Sequence, residues 1–408
     1  MPIMLYSGIK KAQYDLYDYL FCLLILSLPY SLKLPNVVLI LLGLFFIGDY
    51  KKCKQLDFSK LKTKSFLILF LLVLYEIIKG ITTSTLSENK YTLLLPVVLL
   101  PFLALKIKNI YRILFAIVII GFLTSAKALY GIAGNYINNG ELLPFEGGIN
   151  QVLGMERPYL GFLSIVSIIS SLKLAERFRK YRFLFIVYSL YMCLSIFLIS
   201  ARISAITLLV LIGIYSVFYI NIPIKKKIVF FILGTLLALL MIISNKNLRE
   251  RLFITNTIEQ SLAKLNRHEP RVIIWPCAFK IANSTRFNPI FGLSSEKKVD
   301  SLLANCYDEK LENKNRAAFF IESKLNTHCQ FIGIYISSGV IGLVLLLCFF
   351  ISQFTGYIRD FKAIALLTAL FLFFVVENVL HRQLGIYFFA LVISIINIHP
   401  FVNNRRTF

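Results

Sequence analysis

LNTHCQFIGIYISSGVIGL, residues 325–343, starts in polar residues and ends in an apolar run that continues to Ile351. The run, about 330–351, is long enough to cross the ~30 Å hydrocarbon layer of a bilayer as a helix. His328 stands at its mouth, where the apolar stretch meets a polar insert at residues 245–327. A titratable ring held at such a boundary can do chemistry at a membrane surface.

Working outward, comparable runs recur on both sides. Before the insert they lie at 16–31, 34–49, 65–80, 91–105, 110–131, 158–173, 183–200, 203–221 and 227–244; after it, at 330–351, 362–378 and 384–398. The expectation is an all-α polytopic membrane protein with about twelve transmembrane helices and one large, partly helical loop. The composition agrees: of 408 residues, 58% are hydrophobic and 16% charged, and the mean hydropathy is +0.74. A soluble domain carries about a quarter charged residues. Three parts are expected: a transmembrane bundle at 1–244, the loop at 245–327, and a transmembrane segment at 328–408. The first apolar run has no small-residue cleavage site behind it and is expected to be a retained helix, not a signal peptide.

The formal net charge of +23 raises nucleic acid as a partner, but the placement of the charges answers differently. With a cytoplasmic N-terminus, one side collects Lys10, Lys11, six lysines of KKCKQLDFSKLKTK (51–64), Lys106, Lys108 and Arg112. The same side takes AERFRKYR (175–182), Lys225 to Lys227, Arg359, Lys362, Arg405 and Arg406. That is roughly 23 basic residues against about six in the short loops opposite, the bias expected of cytoplasmic loops. Both termini are thus expected in the cytoplasm, with the insert, the 132–157 loop and the turns at 200–203 and 378–383 outside. The basic charge belongs to the bilayer, not to nucleic acid.

The insert carries 14 Lys and Arg and is too long for its charge to set topology. TIEQSLAKL (257–265) and VIIWPCAFKIA (272–282) read as short helices. The second places Ile274, Ala278 and Ile281 at helical spacing, with Pro276 expected at a first turn or a kink. Seven cysteines are present without a C-x-x-C pair, which speaks against a zinc or redox motif. Pairing among Cys277, Cys306 and Cys329 is left open by their spacing. The four histidines are scattered and no D-x-D pair or glycine-rich phosphate loop occurs, so no metal or other cofactor is expected.

Against this background a few polar residues stand out. Arg202 lies in FLISARISAITLL between two apolar runs. It needs a carboxylate, carbonyls or an anionic ligand, unless it snorkels to headgroups. Arg271 opens RVIIWPCAF, with Trp275 one turn on; the plainer reading is an interfacial helix with its tryptophan at the headgroups. Arg157, before Pro158, reads as a helix-flanking charge unless the site recruits it. A lone histidine such as His328 is more often structural or solvated than catalytic. Arginines converging on it favour a phosphate or diphosphate site, because the guanidinium fork matches phosphate oxygens. ENVLHRQ (377–383) adds Glu377, Arg382 and Gln383; Glu377 is either a partner for a site arginine or a helix-end carboxylate in water. Lys127, inside a span, is expected to pair or to reach the outer boundary.

The succession resembles the O-antigen ligase and polymerase superfamily of bacterial envelope enzymes. It runs from several spans through the tight turn SARIS (200–204) to a large loop with Arg271 and Trp275 in R-x-x-x-W spacing. The histidine stretch 325–343 follows, with Gly339 and Gly342 as a Gly-x-x-Gly bend, and then ENVLHRQLGIYFF. The resemblance covers about 150–398. It departs at Cys329, Phe331 and Ile332, where the family commonly has Asn and then Tyr-Leu, and at the reduced glycine stretch NPIFGLSSE. The resemblance implies a GT-C-like fold in the bacterial inner membrane with a periplasmic active site. It implies a glycan donor on undecaprenyl diphosphate, a lipid A–core or other glycan acceptor, and transfer without a metal or nucleotide sugar. Arg202 and Arg271 would then hold the donor diphosphate and His328 would assist the acceptor hydroxyl, with Arg157, Glu377, Arg382 and Gln383 in support. A polymerase of the same superfamily is the nearest alternative, although a single loop longer than about 30 residues favours a ligase. A lipid-linked glycan flippase or other transporter predicts inverted repeats and midplane charges, and no repeat is found.

Overall fold

The computed structural model describes residues 2–48, 63–85, 91–144, 148–219, 259–260, 269–293 and 296–398, with 223, 225–229, 232, 234 and 236 between them. Among the described residues the regular structure is helical. In chain order it comprises α1 (Pro2–Ser27), α2 (Leu34–Gly48), α3 (Thr63–Thr82), α4 (Tyr91–Ala104), α5 (Ile110–Asn139), α6 (Ile149–Leu153), α7 (Arg157–Arg177), α8 (Arg182–Leu198) and α9 (Arg202–Ile214). There follow α10 (Arg271–Ala282), α11 (Glu296–Lys310), α12 (Lys314–Glu322), α13 (Gln330–Tyr357), α14 (Phe361–Val376) and α15 (Gln383–Ile398).

Among the described residues, six segments are long and apolar enough to cross a membrane: Lys64–Thr82, Ile110–Asn139, Ile149–Arg177, Arg179–Leu198, Arg202–Tyr219 and Gln330–Tyr357. Leu34–Gly48, Leu94–Ala104, Phe361–Val376 and Gln383–Asn397 are apolar but shorter. At 1.5 Å per residue these four fall short of the ~30 Å layer. Between α14 and α15 the connection is itself buried at Glu377, Asn378, Val379 and Leu380, so irregular backbone there is covered by protein. The expected span at 227–244 and the expected helix at 257–265 lie mostly outside the described residues.

α7 is the hub of the bundle, packed against α5, α8 and α14. It is buried on nearly every side, the condition of a helix enclosed by others rather than one with a single apolar stripe. Its serines make this possible. Ser167 and Ser171 donate to the carbonyls of Ile117 and Phe185 on the neighbouring helices, and Ser164 and Ser170 donate back to their own turns. Small hydroxyl residues let helices approach closely in a medium that offers no hydrophobic drive between them. α15 packs on α4, and α13 on α3 and α14.

α13 is broken. Gly339 has φ 67° and ψ −165°, a combination that side chains do not tolerate. A Cβ there would also lie 2.2 Å from the Ile290 carbonyl oxygen. Across the contact, Gly292 (φ 71°) could carry no Cβ either, since it would meet the Gly339 nitrogen at 2.6 Å. The loop 288–293 therefore lies backbone to backbone against the break, with Leu293 N–H donating to the Ile336 carbonyl (2.8 Å) and Val340 N–H to that of Pro289 (2.9 Å).

α10, α11 and α12 form a cap with its own small core of Ile274, Ala278, Ile281, Leu303, Tyr307 and Phe320, joined by Ile336 of α13. Ile274, Ala278 and Ile281 are buried as their spacing predicts. Pro276 sits within α10 rather than in its first turn; its missing N–H removes only the bond to the Val272 carbonyl, near the helix start. Cys277 and Cys306 form a disulfide between α10 and α11. Lys127, inside α5, has its Nζ 5.7 Å from the centre of the Tyr30 ring in the α1–α2 connection, and its side chain packs on Gly154.

Candidate functional site

Arg202 is the first residue of α9, and the turn before it is tight enough to force Ser200 to φ 54°. Arg271 is the first residue of α10. Two helix starts thus present guanidinium groups to one carboxylate. Glu269 accepts from Arg202 Nη2 at Oε2 (3.0 Å) and from Arg271 Nη1 at Oε1 (2.6 Å). Burial works to raise the Glu269 pKa, but Arg271 and Arg202 outweigh it and hold the carboxyl below its ordinary value. Arg271 Nη2 also donates to the Val376 carbonyl (2.6 Å), and its Nε is enclosed without a hydrogen-bond acceptor.

The residue after Val376 is Glu377, buried, with Oε2 3.6 Å from His328 Nδ1. Arg202 and Arg271 thus find their carboxylate in Glu269, while Glu377, buried rather than in water, faces the histidine. A chain of contacts connects Arg202, Glu269, Arg271, the 376–377 backbone and His328.

His328 has φ 44°, a left-handed conformation for which histidine is among the better-suited residues. Neighbouring side chains fix it there. The Asn326 side chain accepts from His328 N–H (3.0 Å). Asn378 Oδ1 accepts from Cys329 N–H and from the Thr327 hydroxyl, each at 3.0 Å. Trp275 Nε1 donates to the Thr327 carbonyl (3.0 Å). Gln330 Oε1 accepts from Leu380 N–H (2.7 Å). The tryptophan is therefore a brace on the histidine turn and not merely an aromatic at a headgroup boundary. Burial pushes the Cys329 thiol above its ordinary pKa, which keeps it protonated and unreactive.

The other expected residues divide. Arg382 pairs with Glu156, and the negative charge of Glu377 also bears on it; Arg157 follows Glu156 at the start of α7. The Glu156–Arg382 pair thus lies within electrostatic reach of Glu377. Gln383 is elsewhere: its amide donates to the Leu32 carbonyl (2.6 Å) and to Asn36 Oδ1 (3.0 Å), tying α15 to the α1–α2 connection and the first turn of α2. Glu269, Asn326 and Asn378 were not singled out from the sequence. Glu269 lies two residues before Arg271 in a basic stretch where a carboxylate reads as solvated. Asn378 lies within ENVLHRQ, where an asparagine among charged residues carries no signal of its own.

Residues 187–347 match the family model described as O-antigen ligase. No curated protein matches the chain. The matched segment runs from α8 into α13 and contains Arg202, Glu269, Arg271, Trp275 and His328; Glu156, Arg157, Glu377, Arg382 and Gln383 lie outside it. The match supports enzyme activity in general. Residues 187–347 are thus similar to the O-antigen ligase family, in a helical chain with segments long and apolar enough to cross a membrane, in agreement with the superfamily that the residue pattern resembles.

Proposed function

We propose that the protein is an O-antigen ligase-like glycosyltransferase, moving a glycan from undecaprenyl diphosphate to a sugar hydroxyl of lipid A–core at the periplasmic face of the inner membrane. The observation that carries this reading is the pair Arg202 and Arg271, bound to a single carboxylate and joined through the 376–377 backbone to His328. Two guanidiniums sharing one anion form a site that a diphosphate can occupy. The Cys277–Cys306 disulfide fits an oxidising compartment such as the periplasm. In this reading residues 245–327 are the periplasmic part, between a transmembrane bundle at 1–244 and a transmembrane segment at 328–408.

Diphosphate is a good leaving group. Arg202 and Arg271 neutralise the charge that accumulates on it as the glycosidic bond breaks, and no metal is required for that role. The acceptor hydroxyl is a weak nucleophile. Glu377 beside Nδ1 orients the imidazole and stabilises it once protonated, leaving Nε2 to take the hydroxyl proton. Direct displacement inverts the anomeric carbon. Arg382 and Arg157 flank the site, with Arg382 held by Glu156.

The test uses purified protein, a lipid-diphosphate glycan and alternative acceptors, with products compared by size. One-step transfer to lipid A–core is expected. Ladder growth on the carrier would make the enzyme a polymerase, and no covalent product would point to transport. His328→Ala should lower the rate by about 100-fold or more, the usual weight of a general base; near-normal transfer would remove His328 from that role.

A further inference from the structure

The break at Gly339 leaves carbonyls without their helical donors, and inside a bilayer such groups need partners. α3 supplies them from one side. Tyr75 donates its hydroxyl to the Ser338 carbonyl (2.8 Å), and Lys79 Nζ donates to the Ser337 carbonyl (2.7 Å) and to Ser338 Oγ (2.9 Å). Lys79 is buried and has Glu76 one turn before it, with Nζ 3.4 Å from Oε2. The other side of the break is held by the 288–293 loop. The segment between the break and His328, residues 330–338, is a short helix about 13 Å long. One end is clamped by α3, and the other carries the histidine turn that Trp275 and Asn378 hold.

We propose that Lys79 and Tyr75 are positioning residues of the transfer site: by bonding the freed carbonyls of Ser337 and Ser338 they fix the 330–338 helix, and through it the place of His328. The proposal rests on the reading of His328 as the base. Neither residue touches the reacting atoms. Their effect is geometric, and a displacement near 1 Å at a reacting group can cost about 100-fold in rate. Glu76 is present because a lysine at this depth needs a counter-charge.

The decisive experiment pairs transfer kinetics with the fluorescence of Trp275, the single tryptophan of the chain, whose indole bonds the residue next to His328. Lys79→Met is made together with Glu76→Gln, so that no uncompensated charge is left in the membrane. Tyr75→Phe is the milder variant, removing one oxygen, and it decides the matter if the double variant fails to fold. Expected are a kcat lowered about 10-fold or more, a KM for the lipid-diphosphate donor changed less than about twofold, and a shifted or more quenchable Trp275 emission. Lys79→Arg should restore both readouts. An unchanged Trp275 emission in a folded variant overturns the brace, whether or not glycan is transferred. So does a loss confined to KM. Absence of any product from the unaltered protein would instead sink the transferase reading, and the fluorescence would still judge the brace.

Discussion

Glu269 lies between Arg202 and Arg271, where the proposed function puts the donor diphosphate. Under the transferase reading it competes with that phosphate. Glu269→Gln should tighten inorganic pyrophosphate binding by roughly fivefold, about 1 kcal/mol for removing one half-screened charge; calorimetric titration would show it, and unchanged or weaker binding would mean the carboxylate instead organises the arginines. The same residue predicts an acid limit. Its folded pKa lies below its ordinary value of 4.5, so its stabilisation is complete above that value and is lost as pH falls through the lower folded one. The thermal midpoint should therefore drop below about pH 4.5, and Glu269→Gln should flatten the fall. At this scale the sequence made Arg202, Arg271 and His328 legible, because charge next to an apolar run needs an explanation. It hid Glu269, Asn326 and Asn378, since ordinary polar residues in polar loops become conspicuous only when the fold buries them. Glu76 and Lys79 did sit inside an apolar run, and that signal was there to be read.

α10 concentrates the site's support in twelve residues. It begins with Arg271, places Trp275 under the histidine turn, and is bound to α11 through Cys277. With the two cysteines 29 positions apart in sequence, cross-linking restrains the open chain by about 3.6 kcal/mol on the chain-entropy account. Cys277→Ser should make the cap more open to limited proteolysis than the bundle and should weaken transfer through Arg271 and Trp275. Equal cleavage with and without the bond would show that the α10–α11 core suffices alone. The helical spacing of Ile274, Ala278 and Ile281 was readable. That this face meets α11 and Ile336 of α13 was not, because α11 and α12 carry their apolar residues among many charges. Length and apolarity marked the six described segments long enough to cross a membrane, whereas the break in α13 was legible only as a pair of glycines.

Across the whole molecule, charge and apolar length were the legible quantities, and the packing order was not: nothing in the α7 sequence marks it as the enclosed helix apart from its serines. The asymmetry of Lys and Arg makes a prediction at this scale. A protease applied to the periplasmic side of intact spheroplasts should cut within 245–327 and leave both termini, while inverted vesicles should lose the termini first; the reverse pattern would turn the proposed orientation over. Order along the chain adds something to the break at Gly339. Tyr75, Lys79, Pro289 and Leu293, the residues that satisfy its backbone, all precede α13 in sequence. During synthesis, α13 therefore enters a membrane in which each of those partners has already been made. A permuted chain that delivered α13 before α3 and the 288–293 loop would have to insert a helix with unmet carbonyls, and would be expected to stall in assembly even with every residue unchanged.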